Sequence, residues 1–455
     1  MLADSDSGRG KLMSVHSKDG NQKTTKLERI SKLAIRERDV VFNNIGHVLD
    51  TELLREAYTQ LDGKKAVGTD GVTKESYGQK LEDNLQDLLV KIRKGTYKPR
   101  PSRLVEIPKE DGSSRPLALS CFEDKVVQQA VSSILNKIFE PLFLPCSYGY
   151  REGRNGHEAL RELMKYSYQI SNGAIVEIDL QKYFNTIPHE ELMKILRNKI
   201  SDVGFLRLVE KLIRSPIMEG RESKPNKRGC PQGSIISPIL SNIYLHYVLD
   251  DWFHEIRKTH IKGRAELVRF ADDMVFVFEH REEAERFYKT LPKRLEKFGL
   301  TLHEVKSSVI PSGKKAAEAA QAKGERLPTY KFLGFVCYWG VSRTGFWRLK
   351  YKSRSDRVTA KLKGLRKYCK ESYNKDTYTV LKRAAKIVRG WINYHAISDN
   401  QRRVGSFILM SKRTLLSWLN RKGGRYKTSW EEFNRMLKRV GYPESFKTTS
   451  MFATC

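Results

Sequence analysis

Two adjacent carboxylates, Asp272 and Asp273, sit at the centre of LVRFADDMVFVF, residues 267–278. Apolar residues alternate with others on both sides of them, the period-2 signature of strands. The stretch therefore reads as a β-hairpin whose tight turn carries both acids. Neighbouring carboxylates within so much apolar sequence repel one another and are costly to bury. A divalent cation removes that cost, because hard oxygen ligands suit Mg²⁺. For the doublet alone, a solvated turn is the plainer reading, since Asp is common there.

A third acid changes the balance. In AIVEIDLQKYFNTIPHEELMKIL, residues 174–196, AIVEI reads as a buried strand with Asp179 at its end. An acid at a strand end can meet the acidic turn of a neighbouring hairpin. Three carboxylates converging from two segments would build a two-metal site, with ions about 3.5–4 Å apart acting on the attacking and leaving oxygens of an in-line displacement.

Groups suited to a nucleotide lie elsewhere. In residues 95–120 two strand-like pieces, 104–107 and 117–119, flank the turn EDGSS, with Lys109 and Arg115 on either side. A hairpin would bring these cations together, as a triphosphate requires, although an ordinary solvated turn explains them equally well. RGCPQGSIISPILSNIYLHYVLDDW, residues 228–252, is a Gly/Pro-punctuated loop feeding an amphipathic helix. Gly229 and Gly233 let backbone approach a ligand, and Gln232 between them offers both donor and acceptor to a base or sugar edge. Phe184 lies where the chain leaves the Asp179 strand. In CSYGYREGRNGHEAL, residues 146–160, Arg151 and Arg154 could hold phosphates or be solvated.

The elements that must position these groups are legible from periodicity. Residues 1–27 are polar and aperiodic, a flexible leader. The pattern is helical from 27 to about 89, interrupted by AVGTDGVT at 66–73. Over 123–139, Val126, Ala130, Ile134 and Ile138 share one face of a core helix. Pro188 opens a helix at about His189. LEKFGLTLHEVKSSV, residues 295–309, gives a helix, a turn and a strand carrying Lys306; a polar spacer at 311–328 and a hydrophobic hairpin at 330–340 follow.

A chain of 455 residues should divide into more than one domain. A net charge of +31 points to a polyanionic partner, most plausibly nucleic acid. The six cysteines form no C-x-x-C pair, which argues against a zinc site or disulfide framework and for a reducing compartment. No apolar run approaches the ~20 residues needed to span a bilayer, and the N-terminus lacks the apolar core of a secretory signal. An intracellular protein is expected, in the bacterial cytoplasm or nucleoid, with an organelle as the other setting. Residues 341–455 hold 28 Lys and Arg against 7 Asp and Glu, +21 of the chain's +31. Within them, 377–395 places Val380, Ala384, Ile387 and Trp391 at helical spacing. Lys382, Arg383, Lys386 and Arg389 fall on other faces, the pattern of a helix that grips nucleic acid.

Taken in order, VEIPK…RPL, DKVVQQA…CSYGYREGRNGHEAL, IDLQKYFNTI, GCPQGSIISPILSNIYL, FADD and KFLGF resemble the blocks of group II intron reverse transcriptase/maturases, over about 67–340. The WINYH region resembles the maturase thumb. The resemblance implies an α+β right-hand polymerase: fingers and an antiparallel palm sheet over 28–340, an α-helical thumb (maturase domain X) over 341–400, and a short basic DNA-binding tail over 401–455. In that tail Arg402, Arg403, Lys412 and Arg413 would contact nucleic acid.

The same resemblance makes Asp179, Asp272 and Asp273 the catalytic acids and metal site. Asp179 and Asp272 would be the ligands proper for two Mg²⁺ ions, with Mn²⁺ as substitute, and Asp273 their support. Lys109 and Arg115 would hold the incoming triphosphate, and Phe184 would exclude a 2′-hydroxyl. Gln232 would flank the nascent base pair, and Lys306 would stand near the departing pyrophosphate. FADD replaces the commoner YADD and GCPQGS the commoner GTPQGG, both small steric changes. The expected reaction is RNA-templated addition of deoxynucleotides to a primer 3′-OH. The expected partners are group II intron RNA or another structured template, a DNA target or primer, and dNTPs; a homodimer is compatible. Assistance to splicing and retrohoming goes with that assignment. Many family members add a zinc-ligated HNH endonuclease, for which this chain has no Cys pairs, so priming from a pre-existing 3′ end is expected. Two other readings are a group II-like enzyme outside an intron, in phage defence, CRISPR spacer acquisition or repair, and a non-catalytic splicing maturase. The complete carboxylate set weighs against the latter.

Overall fold

The structure is a computed structural model describing residues 25–108, 114–220, 222–423 and 427–452. Lys109 and residues 1–24 of the expected leader lie outside the described residues. The first helix, Lys26–Arg36, starts inside the expected leader boundary, because Thr25 and Glu28 form a capping box there.

In chain order, β1 (Ser102–Pro108) and β2 (Ser114–Leu119) make an antiparallel hairpin in which Ile107 faces Arg115. Next comes β3 (Gly173–Ile178); β4 (Ile217–Glu219) then runs parallel to β1 and pairs with β5 (Glu222–Lys224). The hairpin β6 (Ala265–Phe270) and β7 (Asp273–Phe278) and the strand β8 (Ser308–Ser312) join β3 in an antiparallel sheet of order β6–β7–β3–β8. Last, β9 (Tyr330–Phe332), β10 (Phe335–Val341) and β11 (Trp347–Ser353) form a three-stranded sheet.

β3 is central to its sheet because nearly every residue in it is apolar, the pattern of a strand covered on both faces. The helices Gly156–Tyr168 and Arg281–Lys297 pack against this sheet. Phe122–Phe139 buries Val126, Ala130, Ile134 and Ile138 as the spacing predicts. Each such side chain contributes about 1.5–3 kcal/mol when fully buried.

Three expectations need correction. The segment following the 228–236 loop is not amphipathic at its start, since Ser237–Leu245 is buried on every face. The 311–328 spacer contains the end of β8 and a helix, Lys314–Ala322. The domain boundaries at 340 and 400 also move. A cut at 340 would sever β10 from β11, which pair over seven residues. Helices Ser355–Glu371, Thr377–His395, Gln401–Lys422 and Trp430–Arg439 share one hydrophobic core, in which Val380 and Trp391 pack with Phe407, Trp418 and Phe433. After β11 the basic C-terminal region is thus a single helical unit, with no break in its core at residue 400. Among the described residues, no helix is long and apolar enough to cross a membrane.

Candidate active site

The hairpin β6–β7 pairs Phe270 with Asp273, leaving Ala271 and Asp272 as a two-residue turn. Ala271 has φ +57° and Asp272 no positive φ. Positive φ at the first central position alone is the type II′ pattern, whose twist suits hairpins. Asp272 therefore lies in the turn, as expected, but Asp273 is the first residue of β7. β3 sets Ile178 opposite Met274, so Asp179 leaves the sheet beside that turn.

The three acids do not act alike. Asp273 Oδ2 accepts the backbone N–H of Leu333 at 3.2 Å, and Glu177 Oε1 accepts that of Lys331 at 3.2 Å. These two carboxylates fasten the β9–β10 hairpin onto the sheet of β3 and β7. Burial pushes Asp273 up to about 7, with Asp272, Glu177 and Asp179 adding repulsion against the Leu333 N–H. Burial raises Asp272 too; Asp179 adds to the rise, while Arg115 and Arg269 oppose it. Among the described residues no three His, Cys, Asp or Glu side chains are grouped to hold a metal. Asp273, expected to support the site, is turned to the backbone of a neighbouring sheet, while Asp179 and Asp272 stand at the end of β3 and in the β6–β7 turn.

Asp179 is held by the turn ahead of β8. Its N–H donates to Ser307 Oγ at 3.1 Å, and its carbonyl accepts from His303 N–H at 2.8 Å. Lys306 Nζ stands 3.1 Å from Asp179 Oδ2. Lys306 belongs to the 3₁₀ turn Glu304–Lys306, not to the strand, and its side chain is 60% exposed. Solvent screens such a pair to about 0–1 kcal/mol, so the lysine is readily exchanged for another partner.

The turn is anchored from below by Arg269, a residue that sequence reasoning passed over. The helix Ser237–Leu245 continues through a π-helical segment, His246–Asp250, into Asp251–Thr259. Asp250, at the end of the π segment, accepts two hydrogen bonds from Arg269, at 2.8 and 2.5 Å. The same guanidinium donates to Asn242 Oδ1 at 3.1 Å, Ser147 Oγ at 2.8 Å and the Ala271 carbonyl at 3.1 Å. A charge interrupting the apolar alternation of LVRF was its signal, since a charged side chain in a buried strand requires a partner.

Phe184 and Gln232 come together at a cavity of about 210 Å³ that Pro116, Ala118 and Arg228 also line. Phe184 stands on a single helical turn, Tyr183–Thr186, and its carbonyl accepts from Cys230 N–H at 2.7 Å. Gly229, at φ +83°, is required there: a Cβ would lie 2.5 Å from the Phe184 carbonyl oxygen. The Gln232 carbonyl is tied to Ala118 N–H at 2.6 Å. Its side-chain Oε1 is buried and has no partner among the described residues. Arg115 is exposed on β2, and its charge opposes the raised pKa of Asp272; Lys109 lies outside the described residues.

The basic candidates divide. Arg151 is buried: it pairs with Glu140 at 2.8 Å and donates to the carbonyls of Leu144 and Ser147 at 2.9 and 2.8 Å. Its donors are committed within the fold, which corrects both readings of it, phosphate ligand and solvated cation. Arg154 is exposed over the Tyr148 ring at 5.3 Å. Lys382, Arg383 and Lys386 are exposed on Thr377–His395, and Arg402 and Arg403 on Gln401–Lys422. Arg389 is exposed but donates to the Gly441 carbonyl. Lys412 pairs with Glu444 at 2.6 Å and bonds Asn434, so it too serves the fold.

Comparison with known proteins follows the same residues. The family described as reverse transcriptase (RNA-dependent DNA polymerase) matches residues 107–337, just over half of the chain. The group II intron-encoded protein LtrA of Lactococcus lactis subsp. cremoris is 29% identical over 350 residues, 75% of this chain and 52% of its own length. Protein YkfC of Escherichia coli (strain K12) is 36% identical over 206 residues, 45% of this chain and 53% of its own. The COX1/OXI3 intron 1 protein of Saccharomyces cerevisiae is 34% identical over 246 residues, 53% of this chain and 29% of its own. The chain thus spans about half the length, or less, of these relatives.

Proposed function

Because the chain belongs to the reverse transcriptase (RNA-dependent DNA polymerase) family and its relatives include group II intron-encoded proteins, we propose that it copies RNA into DNA and also binds its intron RNA to assist splicing and retrohoming. The observation that carries the polymerase reading is the placement of Asp179, at the end of β3, beside the β6–β7 turn that holds Asp272, where Asp179 raises and Arg115 lowers the Asp272 pKa.

In this reading the helical unit after β11 is the thumb of a right-hand polymerase. The three preceding sheets and their helices are its fingers and palm. Asp179 and Asp272 offer hard oxygen donors, and Mg²⁺ commonly takes one or two carboxylates and completes its shell with water and substrate phosphates, so the donor set fits. Two Mg²⁺ ions, or Mn²⁺, bound there would stabilise the attacking and leaving oxygens of the displacement. Arg115, with Lys109, holds the triphosphate. Phe184 fills the space a 2′-hydroxyl would need, and Gln232 turns its unpaired acceptor to the base pair. Lys306 leaves Asp179 for the departing pyrophosphate, a movement that its weak, exposed pair permits.

The test is primer extension on an RNA template. Asp272→Asn should abolish extension and leave RNA binding nearly intact. Asp273→Asn should retain more activity, because an amide oxygen can still accept the Leu333 N–H. Extension by Asp272→Asn within a few-fold of wild type would overturn the assignment.

A further inference from the structure

The segment before Tyr150 is bound tightly to the catalytic hairpin. Arg269 N–H donates to the Cys146 carbonyl and its carbonyl accepts from Tyr148 N–H, both at 2.8 Å. The Gly149 carbonyl accepts Asn242 Nδ2 at 2.7 Å. Gly149 itself has no room for a side chain, since a Cβ would fall 2.4 Å from the backbone nitrogen of Ala271. On the far side of Tyr150, the buried Arg151 closes the anchor.

Held between these points, Tyr150 takes φ +56°, a left-handed conformation that is strained for a bulky aromatic. Core packing does not explain it, because Tyr150 is 54% exposed. Burial raises the Tyr150 hydroxyl pKa, the Asp272 carboxylate adds to the rise, and Arg115 opposes it. Because Gly149 lies against Ala271, Tyr150, the next residue, stands exposed beside the turn that carries Asp272. Strain of this kind persists where the surroundings impose a geometry that function uses.

We propose that Tyr150 is a nucleotide-positioning residue, whose ring is the platform on which an incoming deoxynucleoside triphosphate rests while Arg115 holds its phosphates. The assignment rests on the polymerase reading above. Aromatic faces hold nucleotide rings by stacking and tolerate any base, which suits a template-directed enzyme.

Two variants test it, Tyr150→Gly and Tyr150→Phe, in single-nucleotide incorporation on a primed RNA template. Glycine removes the ring and accepts the positive φ, so Tyr150→Gly should keep or raise the melting temperature. Losing one stacked ring should raise the dNTP KM about tenfold, with primer–template Kd within about twofold of wild type. Tyr150→Phe should stay within about twofold of wild type in both constants, because the stacking face is kept. An unchanged dNTP KM in Tyr150→Gly would overturn the assignment. So would a raised KM accompanied by a lower melting temperature, or weakened primer–template binding in place of weakened dNTP binding. A wild-type protein that extends no primer would sink the polymerase reading and this assignment with it. Wild-type extension that Asp272→Asn abolishes keeps that reading standing whichever way Tyr150 falls.

Discussion

Arg269 and Asp250 meet through two hydrogen bonds, at 2.8 and 2.5 Å, with neither side chain reaching solvent. The remaining Arg269 donors hold Asn242, Ser147 and the Ala271 carbonyl, so the charge that would otherwise be prohibitive in a strand fixes the β6–β7 turn. Removing one partner leaves the other charged, buried and alone. Asp250→Ala should therefore destabilise the protein by about 3–5 kcal/mol in urea unfolding. Replacing both, as Arg269→Met with Asp250→Leu, should cost less than the two single changes added together. Additive losses would show that the pair is not coupled.

Phe184 lines the cavity beside Gln232 and Pro116 and is only partly buried. Phe184→Ala should raise ribonucleotide incorporation relative to deoxynucleotide, because shortening the side chain removes a clash and leaves the acids untouched. An unchanged ratio in single-nucleotide assays would reduce Phe184 to a packing residue.

Nucleic-acid affinity should fall steeply with salt, because phosphate neutralisation releases counterions. Deleting residues 341–455 would split β10 from β11 and is a poor probe. Lys382, Arg383 and Lys386 are exposed and can be changed together to Gln. The slope of log K against log salt should flatten by about 0.7–0.9 for each phosphate that is no longer neutralised. The same triple change at Lys412, Arg151 and Arg389, already bonded within the fold, should chiefly lower stability. A wild-type slope in the first variant would show that Thr377–His395 is not the grip.

His395 should make the C-terminal unit acid-sensitive. Burial, with Arg357 and His157 nearby, lowers its pKa to about 4, and Nδ1 lies 2.9 Å from Ser353 Oγ. The unfolded chain, titrating near 6.5, then binds more protons than the folded one between pH 6.5 and 4. The stabilisation is complete above pH 6.5 and is lost as pH falls toward 4. One pKa unit is about 1.4 kcal/mol, so moving from pH 7.5 to 5 should remove roughly 2 kcal/mol. Other groups titrate in this range, among them Asp124, which burial raises to about 6 and which acts in the opposite sense. The comparison is therefore wild type against His395→Gln: the stability difference between them should shrink by about 2 kcal/mol over that range. A difference that does not change with pH would remove His395 as the cause.

Where residues depend on local pattern, the sequence was sufficient. Alternation is a property of a few neighbouring residues, so β6–β7, β3 and the helix Phe122–Phe139 were legible together with the positions of Asp179 and Asp272. The order of the short blocks carried the family, and the sign of the charge marked the basic C-terminal region. What each polar group bonds to was not legible, because that depends on register between distant segments. Arg151 and Arg154 are three residues apart in one loop, yet only Arg151 is drawn into the interior by Glu140 and two carbonyls. Asp273 and Asp272 are adjacent, yet the step from turn to strand sends Asp273 to the backbone of Leu333, 60 residues away. Lys306 and Asp179 meet only because β8 pairs with β3, and Tyr150 stands beside the turn of Asp272 only because Gly149 allows its segment to lie against Ala271. The sequence determined which chemical groups the site contains. The tertiary structure decided which of them stay open to solvent and which are used to hold the fold, since a buried donor or acceptor must find a partner wherever the packing places one.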